Sequence, residues 1–310
     1  MDGSQNIVGA AHDKIQHDSA VKHVTGKAIY IDDMPSLPGT LEIVLVTSPH
    51  AHARINSIDG KTALAQTGVA AVLTAKDIIG HNDIAPIFEG EPAIADGVAE
   101  YAGHPVALVA AETYDQAFSA AKLVNVEYEE LTPVLDIQDA MAKEQFTYTP
   151  PSVTKGDPDV ALENAANRLQ GEIACGGQDH FYLETNIALA IPGEDQDMTV
   201  YSSTQHPTEA QHGVAHVLGV PRNAVTVEIR RMGGAFGGKE SQPTIIAAMA
   251  ALMAAKTGQP AKLRLRRDED MIVTGKRHDF EFKYDVGFDD DGRIEGVDIE
   301  MAMRSGNVAD

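Results

Sequence analysis

One glycine-rich segment, residues 231–240, limits what this chain can fold into more than any other. Four of the six residues from 233 to 238 are glycines, which leave the backbone bare for close approach by another group. The alternating run before it, residues 224–231, predicts a strand, and the apolar run after it, residues 241–256, predicts a helix. A strand, a glycine loop and a helix N-terminus together favour a site for an anionic group.

The same segment nearly matches the phosphate-binding loop of ATP and GTP enzymes. Gly233, Gly238 and Lys239 fit the spacing of that motif, but the residue after the lysine should be Ser or Thr. Here it is Glu240, whose carboxylate would repel a triphosphate. An ATP-binding enzyme is therefore a weaker alternative, and a turn that merely permits tight packing is the simplest one.

Several motifs in order along the chain resemble the molybdenum hydroxylases, the xanthine dehydrogenase/aldehyde oxidase family. The glycine segment is similar to that family's signature, although Ala235 stands where a third consecutive glycine is usual. Five further stretches agree with the family: residues 26–33, 50–55, 103–109, 176–185 and 202–207. The chain is identified as a member, more similar to xanthine dehydrogenase than to the carbon monoxide dehydrogenases.

The resemblance implies an α+β fold, with a small hammerhead-type α/β domain before the first part of a molybdopterin-binding α+β domain. Relatives have a molybdenum-binding part more than twice this long, so we expect an N-terminal portion only. The linker carries Pro150 and Pro151 and lacks periodicity. The predicted divisions are an N-terminal arm (1–20), the hammerhead-type domain (21–144), the linker (145–155) and the molybdenum cofactor-binding domain (156–310).

Hydrophobic periodicity and turn residues place the main elements. Strands are predicted at 41–47, 69–73, 105–110, 123–128, 170–182, 186–191, 198–203, 261–266, 278–288 and 293–303. Helices are predicted at 114–122, 159–169 and 208–218. Asp157 and Pro158 suit a helix start, Gly219 suits a helix end, and residues 289–292 predict a hairpin turn.

Composition limits the function classes further. A net charge of −22 in 310 residues argues against binding to nucleic acid or to an anionic membrane surface. No apolar run approaches the roughly twenty residues that cross a bilayer, and no secretory leader is evident. The single cysteine, Cys175, excludes an internal disulfide and an iron–sulfur cluster held by this chain. We therefore expect a cytoplasmic protein.

The resemblance also implies roles for individual residues. Gln205 matches a glutamine that hydrogen-bonds an oxygen ligand of molybdenum, and Phe236 and Gly237 match loop positions at the metal. Glu240 matches a carboxylate that contacts a purine substrate, where aldehyde-oxidising relatives are often apolar. The metal takes its sulfur from the pterin, so no protein metal ligand is expected, and the general base is expected beyond residue 310. The simpler alternatives are a solvent-facing Gln205, a core Phe236 and a helix N-terminal acid at Glu240.

Other polar residues in these motifs are expected to be structural. For Arg231 and Lys239 we favour ion pairs over contacts with pterin phosphate. The second motif contributes polar side chains that we interpret as supporting structure near the cofactor: Gln178, Asp179, His180 and Glu184. His50 and His52 would share one face of a strand, but two histidines without a third ligand are more often surface or interface residues.

Together these inferences predict a molybdenum-binding subunit, or fragment, of a hydroxylase that oxidises purines such as hypoxanthine or xanthine. Iron–sulfur clusters and FAD are expected on a partner subunit, because the chain lacks both the cysteines and a dinucleotide fingerprint. Further partners are the remaining molybdenum-binding segment and a small N-heterocycle, in a higher-order oligomer. The chain alone should be inactive. The alternative is a non-catalytic binding or assembly module that kept the fold.

Overall fold

A computed structural model describes residues 16–306 of the chain, so most of the predicted N-terminal arm lies outside the described residues. Within that range the strands are β1 (Leu41–Thr47), β2 (Ala53–Asp59), β3 (Val69–Leu73), β4 (Val98–Ala99), β5 (Pro105–Ala111), β6 (Asn125–Glu130), β7 (Asn167–Cys175), β8 (Ile187–Pro192), β9 (Met198–Ser202), β10 (Val225–Glu228), β11 (Ala261–Arg264), β12 (Phe280–Phe288) and β13 (Ile294–Met303). The helices are α1 (Ala20–Val24), α2 (Lys61–Leu64), α3 (Tyr114–Ala121), α4 (Ile137–Ala142), α5 (Pro158–Asn164), α6 (Pro207–Leu218), α7 (Gln242–Thr257) and α8 (Arg267–Val273). Short 3-10 turns occupy Ile31–Asp33, Ala75–Asp77 and Arg222–Ala224.

A seven-stranded mixed sheet forms the centre of the molecule, in the order β10-β9-β8-β11-β1-β5-β3. The parallel pair of β1 with β11 sets Leu41 opposite Ala261, so strands from both halves of the sequence share one sheet. Helix α7 is apolar around its whole circumference and buried along most of its length, as such helices must be. The main core lies between α7, α6 and this sheet.

Two smaller three-stranded sheets complete the architecture, in the orders β4-β2-β6 and β13-β12-β7. We call β13-β12-β7 the outer sheet. Its hairpin turn contains Gly292 at φ 79, as the sequence predicts. Helix α5 packs so closely on one side that a Cβ at Gly287 would lie 2.6 Å from the Cβ of Ala165. The absence of a side chain at Gly287 therefore lets the helix lie close against the sheet.

Helix termini follow the predicted chemistry. The Asp157 side chain accepts a hydrogen bond from the Val160 N–H, with Pro158 in the first helical turn. Gly219 ends α6 in the left-handed conformation at φ 67. Residues 145–155 form neither helix nor strand. No helix within residues 16–306 has both the length and the apolar character to span a membrane.

Two predicted boundaries around β7 were wrong. The helix predicted over residues 159–169 ends at Asn164, because β7 begins at Asn167 and pairs with β12 along all nine of its residues. The strand predicted over 170–182 ends at Cys175, and the chain then runs irregularly toward β8. Long-range strand pairing overrides local helical tendency here.

Candidate functional site

The glycine loop, residues 231–240, leads from β10 toward α7 and contains a tight turn. The Gly238 N–H donates to the Ala235 carbonyl at 2.8 Å, and the two residues between them, Phe236 and Gly237, have φ of 56 and 90. Positive φ at both central positions is the pattern of a type I′ turn. Phe236 is 75% exposed, so the turn presents its ring to the outside and not to the core.

Gln205 follows β9 and is bonded to this loop through both backbone and side chain. Its N–H donates to the Lys239 carbonyl at 2.7 Å. Its Oε1 accepts from the N–H groups of Gly237 at 3.1 Å and Lys239 at 3.3 Å. Because the amide oxygen is used in this way, the NH2 group is the part of Gln205 left to donate. The structure thus brings together Gln205, Phe236 and Gly237.

Lys239 points into the protein beneath the loop. Its side chain is fully buried, its Nζ lies 3.2 Å from Glu184 Oε2, and the same carboxylate oxygen accepts from the Gly233 N–H at 2.9 Å. Burial lowers the pKa of the Lys239 ammonium, and the neighbouring Glu184 opposes that shift. The predicted ion pair is therefore confirmed. This pairing disfavours the ATP-binding alternative, because the Lys239 ammonium is buried against Glu184 and is not presented at the surface of the loop.

A second buried group lies beside that pair. The Tyr182 hydroxyl donates to Asp270 Oδ1 at 2.6 Å, and the Asn186 N–H donates to Asp270 Oδ2 at 2.6 Å. Burial raises the pKa of Tyr182, and the adjacent Asp270 raises it further. Sequence analysis missed Asp270 and its helix α8. The usable signal was the run of acidic residues at the start of the helix, Asp268, Glu269 and Asp270, because carboxylates favour a helix N-terminus.

The other polar residues of the second motif lie in irregular chain and not on the predicted strand, and one of them, His180, contacts the loop. Gln178 pairs with Arg277 through two backbone hydrogen bonds of 3.0 Å. Asp179 accepts from the Phe181 N–H at 2.6 Å and lies 3.2 Å from Lys276 Nζ. The His180 ring packs on Gly238, where an added Cβ would lie 2.5 Å from it.

The remaining candidates have separate surroundings. Glu240 is exposed at the end of the loop, just before α7. Arg231 donates to the Ser19 hydroxyl at 3.1 Å, which ties the start of the loop to the residue before α1.

The two histidines lie between β1 and β2, so the prediction that they share a strand face was wrong. The turn into β2 follows directly after β1 and leaves both outside the sheet. His50 Nδ1 lies 3.4 Å from Glu130 Oε1, and His52 Nδ1 lies 3.3 Å from the Thr132 carbonyl. Across residues 16–306, no three or more His, Cys, Asp or Glu side chains group in a way that could hold a metal.

Two family models match this chain. One, described as the a/b hammerhead domain of aldehyde oxidase and xanthine dehydrogenase, matches residues 25–132. The other, described as the molybdopterin cofactor-binding domain, matches residues 139–310, which is more than half of the chain. The chain belongs to the xanthine dehydrogenase/aldehyde oxidase family. The family assignment also confirms the predicted fold class, a hammerhead domain followed by a molybdopterin-binding domain.

Similar proteins in the xanthine dehydrogenase/aldehyde oxidase family include both kinds of enzyme. Xanthine dehydrogenase/oxidase from Gallus gallus is 42% identical over 95% of this chain and 22% of the relative. Aldehyde oxidase 2 from Cavia porcellus is 43% identical over 96% of this chain and 22% of the relative. The chain thus spans about a fifth of these relatives, and overall identity does not separate the two enzymes.

Solved structures of the family have the same architecture. The aldehyde oxidoreductase from Desulfovibrio gigas superposes with a TM-score of 0.82 at 28% identity, over 92% of this chain and 33% of that one. Quinoline 2-oxidoreductase from Pseudomonas putida 86 gives a TM-score of 0.81 at 26% identity, over 93% of this chain and 38% of that one.

Proposed function

We propose that the chain is the N-terminal part of the molybdenum-cofactor-binding subunit of a hydroxylase that oxidises purines such as hypoxanthine or xanthine. The observation that carries the proposal is the unit formed by Gln205 and the glycine loop. Two loop N–H groups hold the Gln205 amide by its oxygen, beside an exposed aromatic ring on a strained turn. Strained backbone next to an oriented polar group is characteristic of functional sites.

The residues at the loop fit a molybdopterin cofactor. A Cβ built on Gly237 meets no atom within 4 Å, so the backbone there is open to an approaching group. Gln205 can donate a hydrogen bond without bringing charge to the metal centre, which is how side chains around a metal orient its ligands. A cofactor that carries its own sulfur ligands also requires no metal-binding cluster from this chain. When bound, it supplies the redox chemistry, and Gln205, Phe236 and Gly237 hold and orient it.

Glu240 is the proposed substrate contact. It is exposed three residues after Gly237, with no core position to occupy. A carboxylate there can accept a hydrogen bond from a purine ring N–H, which a simple aldehyde lacks. The contact would strengthen as negative charge moves around the ring during reaction, and so it would favour purines in the transition state.

The rest of the activity is proposed to reside outside this chain. Cys175 is the only cysteine, so we assign the iron–sulfur clusters and FAD to other parts of a heteromeric, cytoplasmic assembly. The general base is assigned to the molybdenum-binding segment beyond residue 310. The 310-residue chain alone should therefore be inactive.

Substitution of Glu240 in the complete enzyme tests the substrate assignment. Glu240→Ala should remove a charged hydrogen bond and so cost about 2–4 kcal/mol of transition-state stabilisation for xanthine. This loss corresponds to a decrease in kcat/KM of roughly two to three orders of magnitude. Turnover of an aromatic aldehyde should change little. Glu194→Ala, at another exposed glutamate, is the matched control. Equal losses for xanthine and the aldehyde would show that Glu240 is only a helix N-terminal acid.

A further inference from the structure

The outer sheet has one face composed of apolar and small residues. In antiparallel strands, residues directly opposite each other share a face, and alternate residues along a strand share it too. The pairing of β7, β12 and β13 therefore assigns twelve residues to this face. They are Leu169, Gly171, Ile173 and Cys175 on β7; Phe280, Phe282, Tyr284 and Val286 on β12; and Val297, Ile299, Met301 and Met303 on β13. We call this set the apolar face.

The contacts within this set agree with the assignment. The rings of Phe280 and Phe282 lie with centroids 5.6 Å apart. A Cβ on Gly171 would lie 2.5 Å from the Tyr284 hydroxyl, so that ring leans across the glycine. None of the twelve side chains carries a charge at neutral pH.

The opposite face of the outer sheet is the polar one, and several of its groups have partners. Arg168 forms an ion pair with Asp285, and Gln170 donates to the same carboxylate at 2.6 Å. Helix α5 covers the end of that face at Gly287 and Gly296. The sheet thus packs its helix against the polar side, while the apolar face stays open, with Ile173 56% and Met301 66% exposed.

An apolar sheet face of this extent is a docking surface. An antiparallel sheet is stable in water when one face is polar and the other is covered. Contiguous exposed apolar patches mark sites of interaction with another polypeptide or a membrane. The question is which occupant fits.

We propose that the apolar face is covered by the remaining part of the same molybdenum-binding subunit, which packs an apolar layer of helix or sheet against it. This inference rests on the proposed function. The chain spans 22% of the length of Gallus gallus xanthine dehydrogenase/oxidase and 33% of the Desulfovibrio gigas aldehyde oxidoreductase. Much additional polypeptide therefore accompanies this segment in its relatives, and a two-layer arrangement is how a bare sheet face is normally buried.

A second copy of this chain fits less well. Three strands of nine or ten residues measure about 14 by 30 Å, roughly 400 Å². A stable dimer interface buries about 800 Å² on each partner. Two copies with a net charge of −22 would also repel one another, as would anionic lipid.

Methionine oxidation provides a direct test, because Met301 and Met303 lie on the face itself. The 310-residue chain and the complete natively purified assembly are treated with hydrogen peroxide and compared by mass spectrometry. Met301 should react readily in the chain alone and roughly tenfold more slowly in the assembly, as expected for a group that reacts only on local opening. The fully buried Met249 serves as the unreactive reference in both. Equal oxidation of Met301 in both samples would overturn the proposal. The proposal would also be overturned if Met301 in the isolated chain became protected as the protein concentration rose and the chain's mass in solution doubled, since a second copy would then cover the face.

Substitutions on adjacent residues give an independent measurement. Ile299→Lys charges the apolar face, whereas Glu300→Lys makes a larger change in charge on the opposite face. Ile299→Lys should lower the recovery of complete assembly, and Glu300→Lys should not; equal recovery would contradict the proposal. Met301→Gln, a milder change, repeats the test if Ile299→Lys unfolds the isolated chain. Neither readout uses molybdenum. If Met301 is protected in an assembly that contains no molybdenum, the docking surface is supported and the proposed function is rejected. If the assembly contains molybdenum but Met301 is not protected, only the docking surface is rejected.

Discussion

At the scale of single residues, Phe236 is the least expected feature of the site. Its φ of 56 is a conformation that glycine adopts freely and that costs an L-residue with a Cβ about 1–2 kcal/mol. The ring is largely exposed, so packing recovers little of that cost. Strained backbone at an exposed aromatic residue is typical of a position that contacts a ligand. A turn with a purely structural role would favour glycine or asparagine there.

We predict that Phe236→Gly raises the free energy of unfolding of the isolated chain by about 1 kcal/mol, because the strain is relieved and little burial is lost. Phe236→Ala is the matched control, since it removes the ring but keeps the Cβ that causes the strain. Urea unfolding of the three proteins measures the difference. If the alanine variant gained as much stability as the glycine variant, the ring itself and not the backbone would be the source of strain.

At the scale of elements, the irregular segment after β7 and the glycine loop are joined by one buried ion pair. Glu184 Oε2 contacts both the Gly233 N–H and Lys239 Nζ, so it holds the two ends of the loop at once. Both partners are largely removed from water. Removal of one partner would leave the other charge buried and unpaired.

Glu184→Gln and Lys239→Met should each destabilise the chain by about 3 kcal/mol, and the double variant by clearly less than the sum. The reason is that the second substitution removes the unpaired charge left by the first. A double-mutant cycle by urea unfolding measures the coupling. The exposed pair Arg54–Glu129, at 3.0 Å, is the control and should couple by less than about 1 kcal/mol. Additive losses at Glu184 and Lys239 would mean that the pair does not join the two segments.

Elements with strong local signals could be predicted from sequence, and those set by distant partners could not. β1 was predicted from its apolar run, and α6 from its periodicity and terminal glycine. The end of α5 was missed because β12, more than one hundred residues away, recruits β7.

The candidate site shows the same division. Motifs placed Gln205 beside the glycine loop, whereas its bonding through Oε1 depends on where the loop N–H groups point. Asp270 was missed for a similar reason. Its partners Tyr182 and Asn186 lie more than eighty residues earlier in the sequence.

At the scale of the whole molecule, the pairing of β1 with β11 makes one continuous sheet from both parts of the chain. A buried histidine lies close to that sheet. His104 precedes β5, is 1% exposed and stacks on Tyr101 with ring centroids 4.5 Å apart. Burial lowers the pKa of His104 below its ordinary value near 6.5. The folded protein therefore keeps this ring neutral where the unfolded chain would protonate it.

This difference predicts an acid-sensitive stability. The contribution of neutral His104 to the free energy of unfolding is fully present above pH 6.5, the ordinary pKa of the ring in the unfolded chain. It is lost as the pH falls from 6.5 toward the lower pKa of His104 in the folded protein, by up to about 1.4 kcal/mol per pH unit. Unfolding free energies at pH 7.5 and 5.5 measure it. His104→Gln cannot take up the proton, so its loss of stability over this interval should be smaller than that of the wild type. The same pH dependence in both proteins would exclude His104 as the cause.

The central claim is that Gln205 and the glycine loop hold a molybdenum cofactor, and molybdenum content tests it most directly. Elemental analysis of the natively purified complete assembly should find about one molybdenum per subunit in the wild type. Gln66→Ala is the matched control: the Gln66 side chain is exposed and donates to the Thr62 carbonyl, four residues earlier, so this variant should keep the same molybdenum content. Gln205→Ala should lose much of it, because an oriented hydrogen bond at the cofactor is removed. A wild type without molybdenum would favour the non-catalytic module, and full retention in Gln205→Ala would contradict the role assigned to this residue.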